Sequence, residues 1–215
     1  MPDVDATLPN MSALLRELAA RGTQQIYRRK GIRIINEGDA GDTLFIILDG
    51  RLRVFASNTE GREITLGVYG PGDYLGEMSL DGGPRSASVE TMQACTCAIV
   101  TRHTLTAFIA EHPAFAFELL GKVIRRARAA TLSAKQLALN DVYGRLKLLL
   151  ESLADAPAAD GARTLRERLT HQEMANRVGC SREMVSRLMK DLEVGAYVSA
   201  KTQPLQLLRE LPARW

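Results

Sequence analysis

The sequence predicts an α+β chain: an N-terminal all-β barrel or sandwich, one long helix, and a C-terminal helical region that ends in a hairpin. Three observations carry this. Short apolar or alternating runs recur between glycine turns over residues 26–100, the signature of many short strands. A proline-free helical stretch follows at 114–139. Beyond Asn140-Asp141 helical periodicity resumes and closes on a strand-like segment. At 215 residues the chain has room for two small domains, each with a core.

Each element has its own signal. MSALLRELAAR at 11–21 has helical spacing. The runs IRIINEG, DTLFIILDG, RLRVFASNTEG, REITLGVYGPG and ASVETMQACTCAIV are strand-like, punctuated by Gly38, Gly41, Gly50, Gly61, Gly70 and Gly72. Residues 101–112 read as a short helix, and Pro113 suits the first turn of the next one. Within 114–139, Phe117, Leu120, Ile124, Ala127, Thr131, Ala134 and Ala138 alternate spacings of three and four, a heptad seam. The same pattern fits a helix lying on its own barrel. Apolar groups on both faces predict that one face covers the barrel and the other a second copy of the chain. Asp141 is an N-cap candidate for VYGRLKLLLESLA. ADAPAADGA at 154–162 reads as a loop, two short helices follow, and VSAKTQPLQLL reads as a β-hairpin. The expected parts are a barrel at 1–113, a dimerisation helix at 114–140 and a C-terminal helical region with a terminal hairpin at 141–215, hinged near Asp141.

Composition narrows the class. Hydrophobic residues make up 46% and charged residues 25%, ordinary proportions for a globular chain. No run of 18 apolar residues occurs, and MPDVDATLPNM lacks the basic and apolar segments of a signal peptide. Cys95, Cys97 and Cys180 suggest no disulfide framework, and Cys95 and Cys97 share one side of a strand as core thiols. A cytoplasmic, membrane-free protein is expected. Residues 1–141 carry sixteen basic and sixteen acidic side chains, whereas 142–215 carry twelve and nine. The whole excess of +3 therefore lies in the C-terminal third and points to an anionic partner there.

The segment LTHQEMANRVGCSREMVSRLMKDL, residues 169–192, reads as a helix-turn-helix. Thr170 and Glu173 form a capping box. Met174, Ala175 and Val178 face a core, Gly179 permits the turn, and Ser181 caps the second helix. Val185, Leu188, Met189 and Leu192 make its apolar stripe. Arg182, Glu183, Ser186, Arg187 and Lys190 lie off the stripe, free for a major groove. A generic two-helix hairpin used for protein contacts is the competing reading.

A second constellation is GEMSLDGGPRSASV, residues 76–89. A cyclic phosphate needs a cation and hydroxyl or backbone donors in a water-poor concavity. Arg85 and Ser86 supply these, and Glu77 can accept from a ribose 2′-hydroxyl. A surface loop with an Arg–Glu ion pair is the alternative.

HQEMANRVGCSREMVSRLM, with its GCSRE-x-V-x-R core, and the GE-[LM]-x-L…PRSA pattern closely resemble the Crp/Fnr superfamily. The likeness runs from about residue 25 through EGDAGDTLFIILDGRLRVF to LALNDVYGRL and onward. It implies a cyclic-nucleotide-binding β-barrel of the jelly-roll (double-stranded β-helix) type, a dimerisation helix and a winged helix-turn-helix. It also implies a bacterial, homodimeric, allosteric transcription regulator that binds a palindromic operator and works with RNA polymerase. By position, Gly76, Glu77 and Met78 meet the ribose and Arg85 and Ser86 the phosphate. Arg182, Glu183 and Arg187 read bases, and Thr170, His171, Gln172 and Ser181 meet DNA phosphates. Cyclic-AMP-responsive relatives carry a Thr-Ser pair on the long helix that contacts adenine; Ala130 and Thr131 stand there in this chain. Arg126, one turn earlier, is placed to approach the phosphate or Glu77. Cyclic AMP and cyclic GMP are the expected effectors, with cyclic di-GMP or no effector left open by Ala130 and by a shortened Glu77-to-Arg85 interval.

Other chemistries lack their residues. An N-terminal iron–sulfur cluster needs cysteines before Cys95, and none is there. His103 and His112, on a helical segment, read as surface residues and not as haem ligands. No metal site or catalytic nucleophile–base set is found. No cofactor and no enzymatic activity are expected.

Overall fold

The computed structural model describes residues 11–158, 161–199 and 204–215. Expectations for residues 1–10, for positions 159–160 of the loop and for the hairpin tip at 200–203 lie outside these. By internal contacts the chain divides into two units. One holds residues up to Ala56 with Thr65–Ala127, and the other Ser57–Ile64 with Arg128–Trp215.

The first unit is a helix-covered pair of antiparallel sheets. Helix α1 (Ala13–Ala20) starts where the Ser12 hydroxyl accepts from Leu15 N at 3.1 Å. Eight strands follow: β1 (Thr23–Tyr27), β2 (Arg33–Ile35), β3 (Thr43–Asp49), β4 (Leu52–Ser57), β5 (Glu63–Tyr69), β6 (Tyr74–Leu75), β7 (Ser88–Thr91) and β8 (Cys95–Thr101). They form two sheets with orders β1-β8-β3-β6 and β2-β7-β4-β5. Strand β3 explains the layering. Its Phe45 and Ile47 join Ile35, Leu52, Leu75, Val89, Cys95 and Cys97 in one cluster between the sheets. Its Leu44 and Ile46 point the other way, to Leu15, Leu18, Leu105, Phe108 and Phe115 of the helical cover. A strand buried on both faces has to be apolar throughout, as LFII is.

That cover comprises α1, α2 (Arg102–Glu111) and the start of α3 (Ala114–Leu139). Phe115 is the fully buried side chain of α3, stacked edge-on against Phe108 at 5.2 Å. Most seam residues are exposed instead: Phe117 at 77%, Leu120 at 52% and Ile124 at 42%. No described helix is long and apolar enough to cross a membrane.

The second unit contains α4 (Val142–Leu153), β9 (Arg163–Thr164), α5 (His171–Val178), α6 (Arg182–Val194), β10 (Val198–Ser199) and β11 (Gln206–Leu207). Asp141 caps α4 by accepting from Gly144 N at 2.7 Å. The hairpin β10–β11 takes β9 as a third strand, in the order β10-β11-β9. Leu146, Leu150, Met174, Val178, Val185, Leu188, Met189, Leu192, Val198 and Leu207 share one core.

Three departures from the sequence reading stand out. β1 begins at Thr23, three residues before the pattern shift at Ile26, and its exposed TQQI has no apolar alternation; its ladder to β8 holds it. The run 87–100 breaks into β7 and β8 across a turn. β9, just beyond the expected loop, exists through pairing with β11 some forty residues on, a long-range contact that leaves no local trace. Cys95 and Cys97 are buried free thiols on one side of β8, as expected, and burial pushes the Cys97 thiol up to about 12.

Candidate functional site

Two groups of residues singled out in the sequence are drawn together, one in each unit. In the barrel the centre is Arg85, only 7% exposed. Its Nη1 donates to Thr43 O at 3.0 Å, Gly76 O at 2.9 Å and Ser79 Oγ at 2.8 Å, and its Nη2 to Thr43 Oγ1 at 2.8 Å. Its backbone N–H donates to Asp39 O, and Gly38 N donates to Arg85 O, both at 2.8 Å. Burial lowers the guanidinium pKa, against the opposing pull of Asp42 and Glu77.

Two glycines make this possible. A Cβ on Gly76, at φ 92°, would fall 2.5 Å from both Arg85 Nη1 and Thr43 O. A Cβ on Gly41 would fall 2.5 Å from Arg85 Nε. Gly76 also opens the single 3₁₀ turn Glu77–Ser79 that delivers Glu77 and Met78. Met78 is largely exposed, with its sulfur accepting from the exposed Ser86 hydroxyl at 3.3 Å.

Arg126 of α3 reaches this cluster. Its Nη1 lies 2.6 Å from Glu77 Oε1, its Nη2 donates to Tyr74 O, and its guanidinium sits 4.6 Å from the Tyr69 ring and 5.3 Å from the Tyr74 ring. Burial disfavours its charge, but Glu77 outweighs this and the pKa is raised. Gly76, Glu77, Met78, Arg85, Ser86 and Arg126 thus form one neighbourhood. Thr131 lies five residues further along α3, exposed to solvent, and belongs to the other unit. Thr43, Ser79, Tyr69 and Tyr74 escape the sequence reading as site residues, and Gly41 reads there only as a turn. Their importance lies in contacts 6 to 57 residues apart, most of which no local motif records.

In the second unit, α5 and α6 form the helix-turn-helix. Thr170 Oγ1 accepts from Glu173 N at 3.2 Å while Thr170 N donates to Glu173 Oε2 at 2.8 Å, a complete capping box. Gly179 ends α5 at φ 73°, and the Ser181 hydroxyl starts α6 by accepting from Met184 N at 3.2 Å. Val185, Leu188, Met189 and Leu192 are buried, which leaves Arg182, Glu183, Arg187 and Lys190 exposed on the opposite side. Ser186 is half-buried, with its Oγ 2.9 Å from His171 Nδ1. Gln172 donates to Asn176 Oδ1 at 2.8 Å. The Glu183 carboxylate is held below its usual range by its own backbone N–H and by the Ser181 hydroxyl.

Arg145 of α4, which no motif flagged, donates to Val178 O at 2.8 Å and to Asn140 O at 2.7 Å, and so ties the ends of α5 and α3 to α4. Among the described residues no cluster of three His, Cys, Asp or Glu side chains could hold a metal ion.

A sheet-built domain with an Arg-Ser-Glu cluster, followed by a helix-turn-helix with a three-stranded wing, defines a ligand-binding domain coupled in sequence to a DNA-binding module. Comparison with known proteins agrees. Residues 25–112 match the model for the cyclic nucleotide-binding domain, and residues 168–194 that for bacterial regulatory proteins of the crp family. The chain is 34% identical to a CRP-like cAMP-activated global transcriptional regulator of Mycobacterium tuberculosis, over 84% of this chain and 80% of the relative. It is also 34% identical to the cAMP-activated global transcriptional regulator CRP of Salmonella typhimurium, over 78% and 81%. Among solved structures, the c-di-GMP responsive global regulator CLP of Xanthomonas campestris matches with TM-score 0.81 at 24% identity, over 91% and 98% of the two chains. The catabolite activator protein of Thermus thermophilus matches with TM-score 0.54 at 27% identity, over 96% and 92%. The chain belongs to the Crp/Fnr family of bacterial transcription regulators, which are not enzymes.

Proposed function

We propose that this chain is a cytoplasmic homodimer that binds a palindromic duplex through α6 and is controlled by a cyclic nucleotide, cyclic AMP or cyclic GMP, held in the barrel. The three-part division at 1–113, 114–140 and 141–215 belongs to this reading, with 114–140 as the dimerisation helix. RNA polymerase is the expected protein partner. The observation that carries the reading is the capped α5–α6 pair, whose apolar stripe is buried while its charged side chains face outward.

The barrel cluster fits a cyclic nucleotide. Among the described residues Arg85 Nε–H has no hydrogen-bond partner, and the Ser86 hydroxyl has only a thioether. Both can donate to a phosphate, with Gly41 leaving the approach open. A ribose hydroxyl would share Glu77 with Arg126. DNA affinity then rises only as far as the ligand favours the DNA-competent arrangement.

A second reading has its own support. Arg85 and Glu77 are already partnered within the chain, and Ala130 offers adenine no side-chain hydrogen bond. These favour a regulator that answers to cyclic di-GMP or needs no nucleotide. Calorimetry against cyclic AMP, cyclic GMP and cyclic di-GMP, followed by duplex selection with and without each, decides between them. Micromolar binding of a mononucleotide that tightens DNA binding supports the first reading. Full DNA affinity without any of the three supports the second, and no selected duplex at all sinks both.

A further inference from the structure

The contact between His171 and Ser186 joins the two helices of the reading head. His171 is the first residue of α5 and Ser186 the fifth of α6. With Nδ1 held at 2.9 Å from the Ser186 oxygen, the imidazole has one edge fixed. Among the described residues its Nε2 has no hydrogen-bond partner, and the side chain is half-exposed. The pair borders a cavity of about 160 Å³, with Leu169, Met174, Met189 and Leu205 as apolar lining and Lys190 and Glu193 as its charged residues. Within this lining the charged side chains belong to α6, and the other residues from the α5 and hairpin sides are apolar.

Resting on the DNA-binding reading above, we propose that His171 is a proton-linked phosphate contact, positioned by Ser186, and that Ser186 orients this contact and reads no base. The chemistry is that of the two ring nitrogens. A neutral imidazole offers one donor and one acceptor. A phosphate arriving at Nε2 requires a donor there: the neutral Nε2–H tautomer supplies one while the Ser186 hydroxyl donates to Nδ1, and the imidazolium supplies one with a full positive charge while Nδ1–H donates to Ser186. Histidine changes charge near neutral pH, and an adjacent anion favours the charged form. Binding therefore takes up a proton, and affinity rises as pH falls. One linked proton changes affinity by at most about tenfold per pH unit.

The test is fluorescence anisotropy of the full chain on the duplex it selects and on a scrambled duplex. The runs span pH 6 to 8.5 at fixed ionic strength, with and without cyclic AMP. Wild-type affinity is expected to rise roughly three- to tenfold per half-site from pH 8 to pH 6. His171→Gln should flatten this slope, and His171→Arg should bind tightly with no slope, because its charge is permanent. Ser186→Ala should weaken both duplexes by a similar factor, shrink the slope and leave base preferences unchanged. A flat wild-type profile, a slope that survives in His171→Gln, or altered base preferences in Ser186→Ala would each overturn the proposal. A wild-type chain that selects no duplex sinks the DNA reading itself, whereas a duplex bound with a flat profile sinks only this inference.

Discussion

At the scale of single residues, Arg85 has two roles that one substitution exposes together. In the proposed reading it is the cation that meets a nucleotide phosphate, and in the structure it satisfies Thr43 O, Gly76 O and the Ser79 hydroxyl. Arg85→Ala leaves those acceptors without their buried donor, at a cost of about 2–4 kcal/mol in barrel stability. Cyclic-nucleotide affinity should fall roughly 30- to 1000-fold. Thermal melting and calorimetry on one preparation measure both losses, and an unchanged dissociation constant places the nucleotide elsewhere. The thiols offer a second residue-scale prediction. The thiolate is the reacting form. Cys97 is buried with its thiol raised to about 12, Cys95 is buried and raised, and Cys180 is half-buried, raised by partial burial against the opposing pull of Arg145. A disulfide reagent at pH 8 should therefore label Cys180 alone until the chain unfolds. The linkage sign follows: an unfolded Cys97 ionises near 9 and the native one does not. Its contribution to stability is intact below pH 9 and is lost as pH rises toward 12. Rapid labelling of two or three thiols in the native protein would contradict the packing of β8.

At the scale of elements, the strongest prediction concerns α3. Phe117, Leu120 and Ile124 leave a run of large apolar side chains exposed on a single chain, while Phe115, Lys122 and Arg126 hold the helix to the barrel through Phe108, Gly72 and Glu77. A charge at Leu120 or Ile124 would be buried unpaired in a two-helix seam. Leu120→Glu and Ile124→Lys should each give monomers by sedimentation, with weakened operator binding and a normal far-ultraviolet spectrum. A wild-type chain that is monomeric at micromolar concentration would refute the seam. The elements also show what was legible. The helices of the second unit were readable to their caps, since Asp141, Thr170 and Ser181 act within three residues of themselves. β3 was readable because burial on both faces leaves an unbroken apolar run. β1, β6 and β9 were not, because ladder partners far along the chain hold them. The barrel site divides the same way. Glu77, Arg85 and Ser86 stand in one short motif, whereas Thr43 and the two tyrosines reach it only through the fold.

At the scale of the whole molecule, the proposed two-fold dimer sets the form of its DNA. Two copies of α6 presented by a symmetric pair require an inverted repeat with half-sites about one helical turn apart. Within a half-site, the exposed side chains of α6 divide by chemistry. Arg182 and Arg187 can each give two hydrogen bonds to guanine O6 and N7, and Glu183 can accept from cytosine N4. The Glu183 carboxylate is exposed and held below the usual range by its own backbone N–H and by Ser181. It is also the one acid among these readers, which separates specificity from affinity. Glu183→Ala removes a negative charge from a DNA-facing surface, so binding to scrambled duplex should tighten, with an unchanged or slightly steeper salt dependence. At the same time discrimination at one base pair per half-site should fall by roughly tenfold. Arg182→Ala should instead weaken both scrambled and selected duplexes while it relaxes its own position. Duplex selection from a random pool, read out for wild type and both variants, distinguishes these patterns. A sequence preference left intact by Glu183→Ala means that Glu183 touches no base. The N-terminal half of α6 would then lie outside the major groove, and the docking proposed for the dimer would have to be abandoned.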